Sequence, residues 1–137
     1  MNHWLIKSEP ESWSWDDQVR AGIDSWTGVR NHQAAANLRA MRVGDTAFFY
    51  HSVAERQVVG VVEIVREAYP DPTDAEARWV AVDVRPVMPV ARPVTLAEIK
   101  ADLRLSGLAL VRQSRLSVTP IDDESWQVIC ALAGIAG

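Results

Sequence analysis

Runs of alternating or continuous hydrophobic residues predict most of a β-sheet. The segment HWLIK (3–7) has the branched and aromatic content of a first strand, and Pro10 ends it soon afterwards. The segments DTAFFYHS (45–52) and QVVGVVEIVREA (57–68) predict two more strands with a charged hairpin connection between them. A fourth strand is predicted in RWVAVDVRPV (78–87), whose valines alternate onto one face, and a last one in RQSRLSVTP (112–120).

Capping residues and helical spacing predict short helices between these strands. Ser12 or Ser14 caps WDDQVRAG (15–22), and a capping box of Thr95 and Glu98 opens LAEIKADL (96–103). Asn31 caps HQAAANLRAMRV (32–43), where four apolar residues fall on one face: Ala34, Ala35, Leu38 and Met41. An acidic start and a final glycine bound a closing helix in DDESWQVICALAG (122–134).

This order of elements predicts an α+β fold. Several short strands with brief helices between them disfavour a doubly wound parallel sheet, in which longer helices alternate regularly with strands. Gly60 inside a strand indicates a bulge or a close backbone approach, both common where a sheet curls. We therefore expect one domain over residues 1–137, built as a small mixed barrel.

Composition and charge limit the partners and the location that we expect for the protein. The chain of 137 residues has a formal charge of −4, so nucleic acid binding has to depend on a local patch rather than a general basic field. The single cysteine, Cys130, is expected to pack in the last helix, and the three histidines lack the spacing of a zinc site. No apolar run reaches the length of a membrane span, so we expect a cytoplasmic protein that binds neither metal nor membrane.

The segment SWTGVRN (25–31) contains the most unusual aromatic residue. Trp26 has polar and glycine neighbours, which is typical of a loop, and an aromatic face beside backbone N–H groups can stack on a flat heteroaromatic ring. Lys7, Ser8 and Glu9 supply a donor, a hydroxyl and an acceptor where the first strand ends. Taken alone, these three favour a solvated ion pair, but beside Trp26 they gain weight as a binding site.

Other chemical motifs are weak or missing. The chain has neither glycine-rich phosphate-binding motif, so a dinucleotide fold and a phosphate-loop enzyme are not supported. His51 and Ser52 are adjacent in a predicted strand, where neighbouring side chains point to opposite faces, which disfavours a catalytic dyad.

Five segments together resemble the EVE domain, of the superfamily that contains PUA and YTH domains, and in particular the bacterial relatives of thymocyte nuclear protein. The motifs KSEP, WTGVRN and FYHS occur in the family's order and spacing, and the resemblance covers almost the whole chain. It implies a PUA-like, partly open β-barrel flanked by short helices. It also implies a non-enzymatic reader without a cofactor that holds a modified nucleobase, 5-methylcytosine or another modified cytosine in DNA or a modified RNA base, flipped out of any duplex.

The resemblance also implies a set of site residues. Trp26 would stack on the base, Glu9 would accept from an exocyclic amino group, Tyr50 and His51 would shape the floor, and Tyr69 would form a second aromatic wall. The expected pocket comprises Lys7, Ser8, Glu9, Trp26, Thr27, Gly28, Val29, Asn31, Tyr50, His51, Ser52 and Tyr69, with Arg30, Arg112 and Arg115 as phosphate contacts. The expected partners are a nucleic acid with a modified base and a separately encoded effector, and the chain is expected to be a monomer.

Two other function classes stay open on the sequence. An enzyme acting on a modified nucleoside or small heterocycle would use Lys7, Glu9 and His51 for acid-base chemistry. A protein-interaction module with a vestigial pocket would bind no nucleoside at all. The binding hypothesis expects Trp26→Ala to abolish ligand binding while the melting temperature stays within a few degrees.

Overall fold

The computed structural model describes all 137 residues, which form one six-stranded sheet and five short α-helices. The strands are β1 (His3–Ser8), β2 (Asp24–Trp26), β3 (Thr46–His51), β4 (Gln57–Pro70), β5 (Val80–Thr95) and β6 (Val118–Ile121). The helices are α1 (Trp15–Ala21), α2 (His32–Ala40), α3 (Leu96–Ala101), α4 (Ala109–Arg112) and α5 (Asp123–Ala133), with a 3-10 helix over Leu103–Leu105. None of these helices combines the length and the apolar character needed to cross a membrane.

The sheet is a curled, partly open barrel. Its strand order is β2-β5-β4-β3-β1-β6, in which β1 and β3 run parallel and the other pairs antiparallel. The edge strands β2 and β6 do not pair with each other, so the barrel stays open. Several register shifts along the β4–β5 pair add the local twist that lets a sheet curl. The predicted α+β, PUA-like class is confirmed.

Hydrophobic residues are buried on both faces of the sheet. One face carries α1 and α2 and is centred on Trp26 and Phe49; we refer to it as the α1–α2 face. The other carries α3, α4 and α5 and is centred on Phe48 and Trp126; we refer to it as the α5 face. Because side chains alternate along a strand, the adjacent residues Phe48 and Phe49 supply one core each.

The predicted helix caps are confirmed. Ser14 accepts from the backbone N–H of Asp17, and Asn31 accepts from that of Ala34 at 3.0 Å. The four apolar residues predicted for one face of α2 are all fully buried, and so is Cys130 in α5. These N-terminal caps agree because capping depends on a few neighbouring residues. The C-terminal end of α2 differs, since the helix was predicted over residues 32–43 but ends at Ala40.

Gly60 allows the close approach that its position in β4 predicts. A side chain placed there would meet the Trp15 ring at 2.5 Å, and the pairing of β4 with both neighbours shifts register next to it. Trp15 therefore packs directly on the sheet backbone and draws the start of α1 down onto it.

Three strands differ from the sequence-based expectation. The last strand was expected over residues 112–120, but β6 covers only Val118–Ile121, and Arg112 ends the helix α4. Trp26 was expected in a loop but ends β2, a three-residue strand paired with residues 82–84 of β5. The strand β5 was expected to end near Val87 but continues through two further prolines, Pro89 and Pro93, to Thr95. Beyond Val84, β5 has a strand partner on one side only, and prolines are tolerated where a ladder hydrogen bond is not needed.

Candidate functional site

A cavity of about 590 Å³ opens where β1 ends, between the turn that follows it and the loop that follows β2. Ten of its lining residues are polar or glycine and three are hydrophobic. They are Lys7, Ser8, Glu9, Ser12, Trp13, Asp24, Ser25, Trp26, Thr27, Gly28, Val29, Arg30 and Ser117. Such a lining can hold a flat ligand between apolar surfaces while hydrogen-bonding its edges.

Trp26 both packs in the core and lines the cavity. Only 8% of the residue is exposed, and its ring meets Phe49 edge to face with the centroids 5.6 Å apart. Truncating a buried aromatic side chain usually costs about 3–5 kcal/mol. Trp26→Ala should therefore lower the melting temperature strongly, in contrast to the small change expected from the sequence.

Trp13 is a second aromatic residue of the cavity wall. Its backbone N–H donates to the Glu9 carbonyl at 2.9 Å, and its indole Nε1 donates to Oε1 of the fully buried Gln18, also at 2.9 Å. Sequence reasoning assigned Trp13 to covering the barrel. Its place immediately before the N-cap Ser14 could have indicated a fixed side chain, since that position often packs against the fourth residue of the helix, here Gln18.

The end of β1 supplies three of the expected residues. The Lys7 ammonium donates to the Ser114 carbonyl at 2.9 Å, and burial lowers its pKa. The Ser8 hydroxyl donates to the Trp13 carbonyl. Glu9 is exposed at the cavity rim. Lys7 and Ser8 thus brace the wall, whereas Glu9 is open to a ligand.

A buried carboxylate, Asp71, holds the loop after β2. It accepts from the backbone N–H of Gly28 at 2.8 Å, from Arg30 Nη1 at 3.0 Å and from Thr73. Burial raises the pKa of Asp71, but the hydrogen bonds from Thr73, Gly28 and Arg30 outweigh it and lower the pKa to about 2. The sequence placed Asp71 in a turn, because no local pattern indicates a partner 43 residues away.

Tyr50 and His51 do not reach the cavity. Tyr50 is 3% exposed and belongs to the α5 face, since strand alternation turns it away from Phe49. His51 lies on the α1–α2 face beneath α1. Its Nε2 accepts from the backbone N–H of Trp15 at 3.0 Å, so its Nδ1 carries the proton that it donates to Glu55 at 3.1 Å.

Three further expected pocket residues also lie outside the cavity. Asn31 has its side-chain oxygen engaged as the cap of α2. The Ser52 backbone N–H donates to the Ser8 carbonyl at 2.9 Å, which joins the ends of β3 and β1. Tyr69 lies on β4, which β5 separates from β2, and its hydroxyl donates to Asp83 at 2.5 Å. The second aromatic wall is therefore Trp13 rather than Tyr69.

The three expected phosphate contacts are divided between two places. Arg30 lines the cavity and is held by Asp71. Arg112 and Arg115 line a separate cleft of about 340 Å³, together with Asn31, Gln33, Gln113, Ser114 and Leu116. The hydrogen bond from Lys7 to Ser114 connects the walls of cleft and cavity. Neither Arg112 nor Arg115 forms a salt bridge, so both guanidinium charges are available to an anion.

The family model described as the EVE domain matches residues 2–132. Human thymocyte nuclear protein 1 is 34% identical over an alignment that covers 96% of this chain and 73% of that protein. A solved structure of a Rhodopseudomonas palustris protein is 51% identical with a TM-score of 0.92, covering 98% of this chain and 94% of the other.

Two solved complexes are also similar to this chain. The human THYN1 protein in complex with DNA containing 5-methylcytosine has a TM-score of 0.89 at 34% identity and covers the full length of both chains. The YTH domain of a Zygosaccharomyces rouxii protein, in complex with N6-methyladenosine RNA, has a TM-score of 0.62 at 19% identity, covering 96% of this chain and 86% of the other. The YTH similarity concerns the fold alone.

Proposed function

This chain belongs to the EVE domain family, and on that premise we propose that residues 1–137 form a single, non-enzymatic module that binds nucleic acid and holds one modified base in the cavity. The base we propose is 5-methylcytosine in DNA. The observation that carries the proposal is the pair of tryptophans, Trp13 and Trp26, in the wall of an otherwise polar cavity. A human relative bound to DNA containing 5-methylcytosine supports the choice of ligand.

The cavity has the chemistry that a single extruded base requires. Stacking on an aromatic side chain contributes about 1–3 kcal/mol per base, and taking a base out of a duplex costs a few kcal/mol. A single-stranded ligand avoids that cost, so it should bind more tightly than a duplex of the same sequence. Lys7, Ser8, Glu9, Thr27, Gly28 and Val29 complete the proposed pocket around the two tryptophans.

The methyl group alone gives modest selectivity. Burying one methyl-sized group contributes about 0.8 kcal/mol, which corresponds to roughly fourfold in affinity. A preference much larger than this for 5-methylcytosine over cytosine would require the cavity to exclude water from the unfilled methyl position.

Arg112 and Arg115 are the proposed phosphate contacts. Their cleft adjoins the cavity wall through Lys7 and Ser114, which suits the phosphates next to a held base. Arg30 is better described as part of the wall, because its charge is already balanced by Asp71. With a net charge of −4, the chain should bind weakly and lose affinity as salt increases.

The positions of the ionisable groups support binding rather than catalysis. Both ring nitrogens of His51 are engaged by Trp15 and Glu55, and Lys7 is engaged by Ser114. An acid-base pair needs two groups within hydrogen-bond reach of the same reacting atom. Of the three candidate side chains, only that of Glu9 forms no hydrogen bond within the protein. We propose that the module is a monomeric reader and that any effector acts from a separate chain.

The proposal is tested by titrating the protein with short single-stranded oligonucleotides that carry one 5-methylcytosine or one cytosine, with binding followed by fluorescence anisotropy. The wild type should prefer the methylated strand about fourfold. Trp13→Ala should lower affinity for that strand about tenfold, as loss of one stacking contact predicts.

Trp79→Ala is the matched control. Trp79 is also half-buried, but it lies outside the cavity and packs against His32 at a centroid distance of 4.9 Å. The control should keep wild-type affinity. Equal losses in both variants, or no binding by the wild type at any concentration tested, would refute the proposed function.

A further inference from the structure

We propose that the hairpin between β3 and β4, residues 52–56, is a second contact with the nucleic acid strand. Arg56 binds a phosphate on the side of the held base opposite to Arg112 and Arg115. The inference rests on the proposed function and extends its footprint, because the strand is then held on both sides of the base. The hairpin lines neither the cavity nor the cleft.

The strand order places this hairpin beside the cavity. β1 lies between β3 and β6, parallel to the first and antiparallel to the second, so the end of β1, the end of β3 and the start of β6 share one end of the sheet. On one side, the Ser52 backbone N–H donates to the Ser8 carbonyl at 2.9 Å. On the other side, the Lys7 backbone N–H donates to the Ser117 carbonyl at 2.9 Å. The hairpin and the segment that carries the cleft therefore flank Lys7 and Ser8 of the cavity wall.

Four cations at this end of the sheet have no carboxylate partner. Lys7, Arg56, Arg112 and Arg115 form no salt bridge. Because β1 separates β3 and β4 from β6, Lys7 lies between Arg56 on one side and the two arginines of the cleft on the other. A row of unpaired cations across the end of a sheet suits the regularly spaced phosphates of one strand.

The single acid of the hairpin, Glu55, does not neutralise Arg56. Its Oε1 accepts from His51 Nδ1 and from Gln57 Nε2, both at 3.1 Å. Arg56 Nε donates to the Val53 carbonyl at 2.9 Å, and its two terminal nitrogens have no partner in the protein. The hairpin thus fixes the base of the guanidinium and leaves its outer N–H groups open to an anion.

The hairpin backbone is strained at the two residues that this hydrogen bond joins. Val53 has a φ of 70° and Arg56 has a φ of 49°, in the left-handed region that favours glycine. A β-branched residue is an outlier there, and Val53 is 62% exposed, so core packing does not explain it. Strained residues cluster at binding sites, where the surrounding structure holds them in place. The strain therefore supports a functional role for the hairpin that presents Arg56.

The experiment uses two sets of single-stranded oligonucleotides with 5-methylcytosine at one end. One set extends by a few nucleotides on the 5′ side of that base, and the other on its 3′ side. Arg56→Gln should weaken binding of one set about threefold, as loss of one exposed charge contact predicts, and leave the other set unchanged. The double variant Arg112→Gln, Arg115→Gln should weaken the other set. For a strand extended on both sides, Arg56→Gln should reduce the slope of log affinity against log salt by about 0.7.

Arg39→Gln is the matched control. Arg39 is an exposed arginine without a salt bridge in the last turn of α2, whereas the cleft lies at the start of that helix. The control removes the same charge and should leave both sets unchanged. Arg56→Gly should bind like Arg56→Gln and keep the melting temperature close to that of the wild type, because glycine adopts a positive φ freely. Trp13→Ala should weaken both sets equally, since every ligand carries the base.

The outcomes separate this inference from the function on which it rests. If Arg56→Gln weakens neither set, both sets equally, or the same set as the cleft variant, the inference is wrong and the reader function stands. An equal loss in Arg39→Gln also overturns it, because net charge rather than a located contact then explains the effect. Absence of wild-type binding to every strand overturns both proposals together.

Discussion

Both faces of the sheet have an aromatic core, but helices cover one core and the other opens onto a polar cavity. On the α5 face, Phe48 stacks on Trp126 with the ring centroids 3.9 Å apart, and helices cover the contact. On the α1–α2 face, Phe49 meets Trp26 edge to face, and Trp26 also lines a polar cavity. A closed core needs only apolar partners, whereas the open one also needs residues that hold polar loops against it.

Those loops are held by long-range polar contacts. Asp71 holds the loop after β2, and His51 holds the start of α1 through the backbone of Trp15. Asp122, in contrast, accepts from Ser125 only three residues away to begin α5. The comparison teaches that the candidate site depends on contacts between distant parts of the chain, while the closed face depends on packing and local caps.

The largest expected effect comes from the two tryptophans that define the faces. Trp26→Ala and Trp126→Ala should each cost about 3–5 kcal/mol and lower the melting temperature by about 10 °C or more. Trp126→Phe and Trp26→Phe should lose much less, because an aromatic ring remains. Differential scanning calorimetry checks the values. A change of only a few degrees for Trp26→Ala would show that Trp26 is not part of the core.

A second pair of variants compares backbone packing on the two faces. Gly60→Ala should destabilise the protein by about 1–3 kcal/mol, because the new methyl group would clash with the Trp15 ring. Gly107 precedes the α5-face residue Leu108 and has open space around it, so Gly107→Ala should be nearly neutral. Urea denaturation measures both. Equal stability of the two variants would contradict the close contact of Trp15 with the sheet.

A third pair compares the carboxylates that hold the two faces. The pKa of Asp71 is lowered to about 2, so its ionised form stabilises the fold above pH 4 and this contribution is lost as the pH falls towards 2. Asp71→Asn should cost about 2 kcal/mol at pH 7, and the deficit should shrink as the pH falls from 4 to 2.

Asp122→Asn is the matched variant on the α5 face. Because asparagine caps helices about as well as aspartate, this change should stay within about 0.5 kcal/mol at pH 7. Urea denaturation at several pH values gives both curves. An Asp71→Asn deficit that does not vary with pH would mean that Asp71 contributes shape rather than charge.

Prediction from the sequence succeeded where neighbouring residues decide the structure. The caps of α1, α2 and α3 followed from Ser14, Asn31 and Thr95, and Gly60 indicated the approach of another group to β4. It failed for β2, because a three-residue strand carries too little pattern and forms only when β5 provides a partner. Trp26 consequently looked like a loop residue although it is buried.

The candidate site divides in the same manner. One cavity is lined by Lys7, Ser8, Glu9 and the segment from Trp26 to Arg30, as the resemblance predicted. The members of each segment lie together because they are contiguous in the chain. Asp71 was missed and Tyr69 was assigned to the wrong wall, since their positions depend on how distant parts of the chain meet. Trp13 was missed although its contacts with Glu9 and Gln18 are local.

The sequence by itself therefore determined the fold class, the N-terminal caps of α1, α2 and α3, and which short segments carry polar chemistry. Alternation, capping and turn chemistry act over a few residues, and the pattern of those residues is visible in one dimension. The tertiary structure alone decided that Trp26 is buried, that Tyr69 lies outside the cavity and which carboxylate holds the loop after β2. These depend on contacts over 40 residues apart and on the curl of the sheet, and neither leaves a local pattern in the chain.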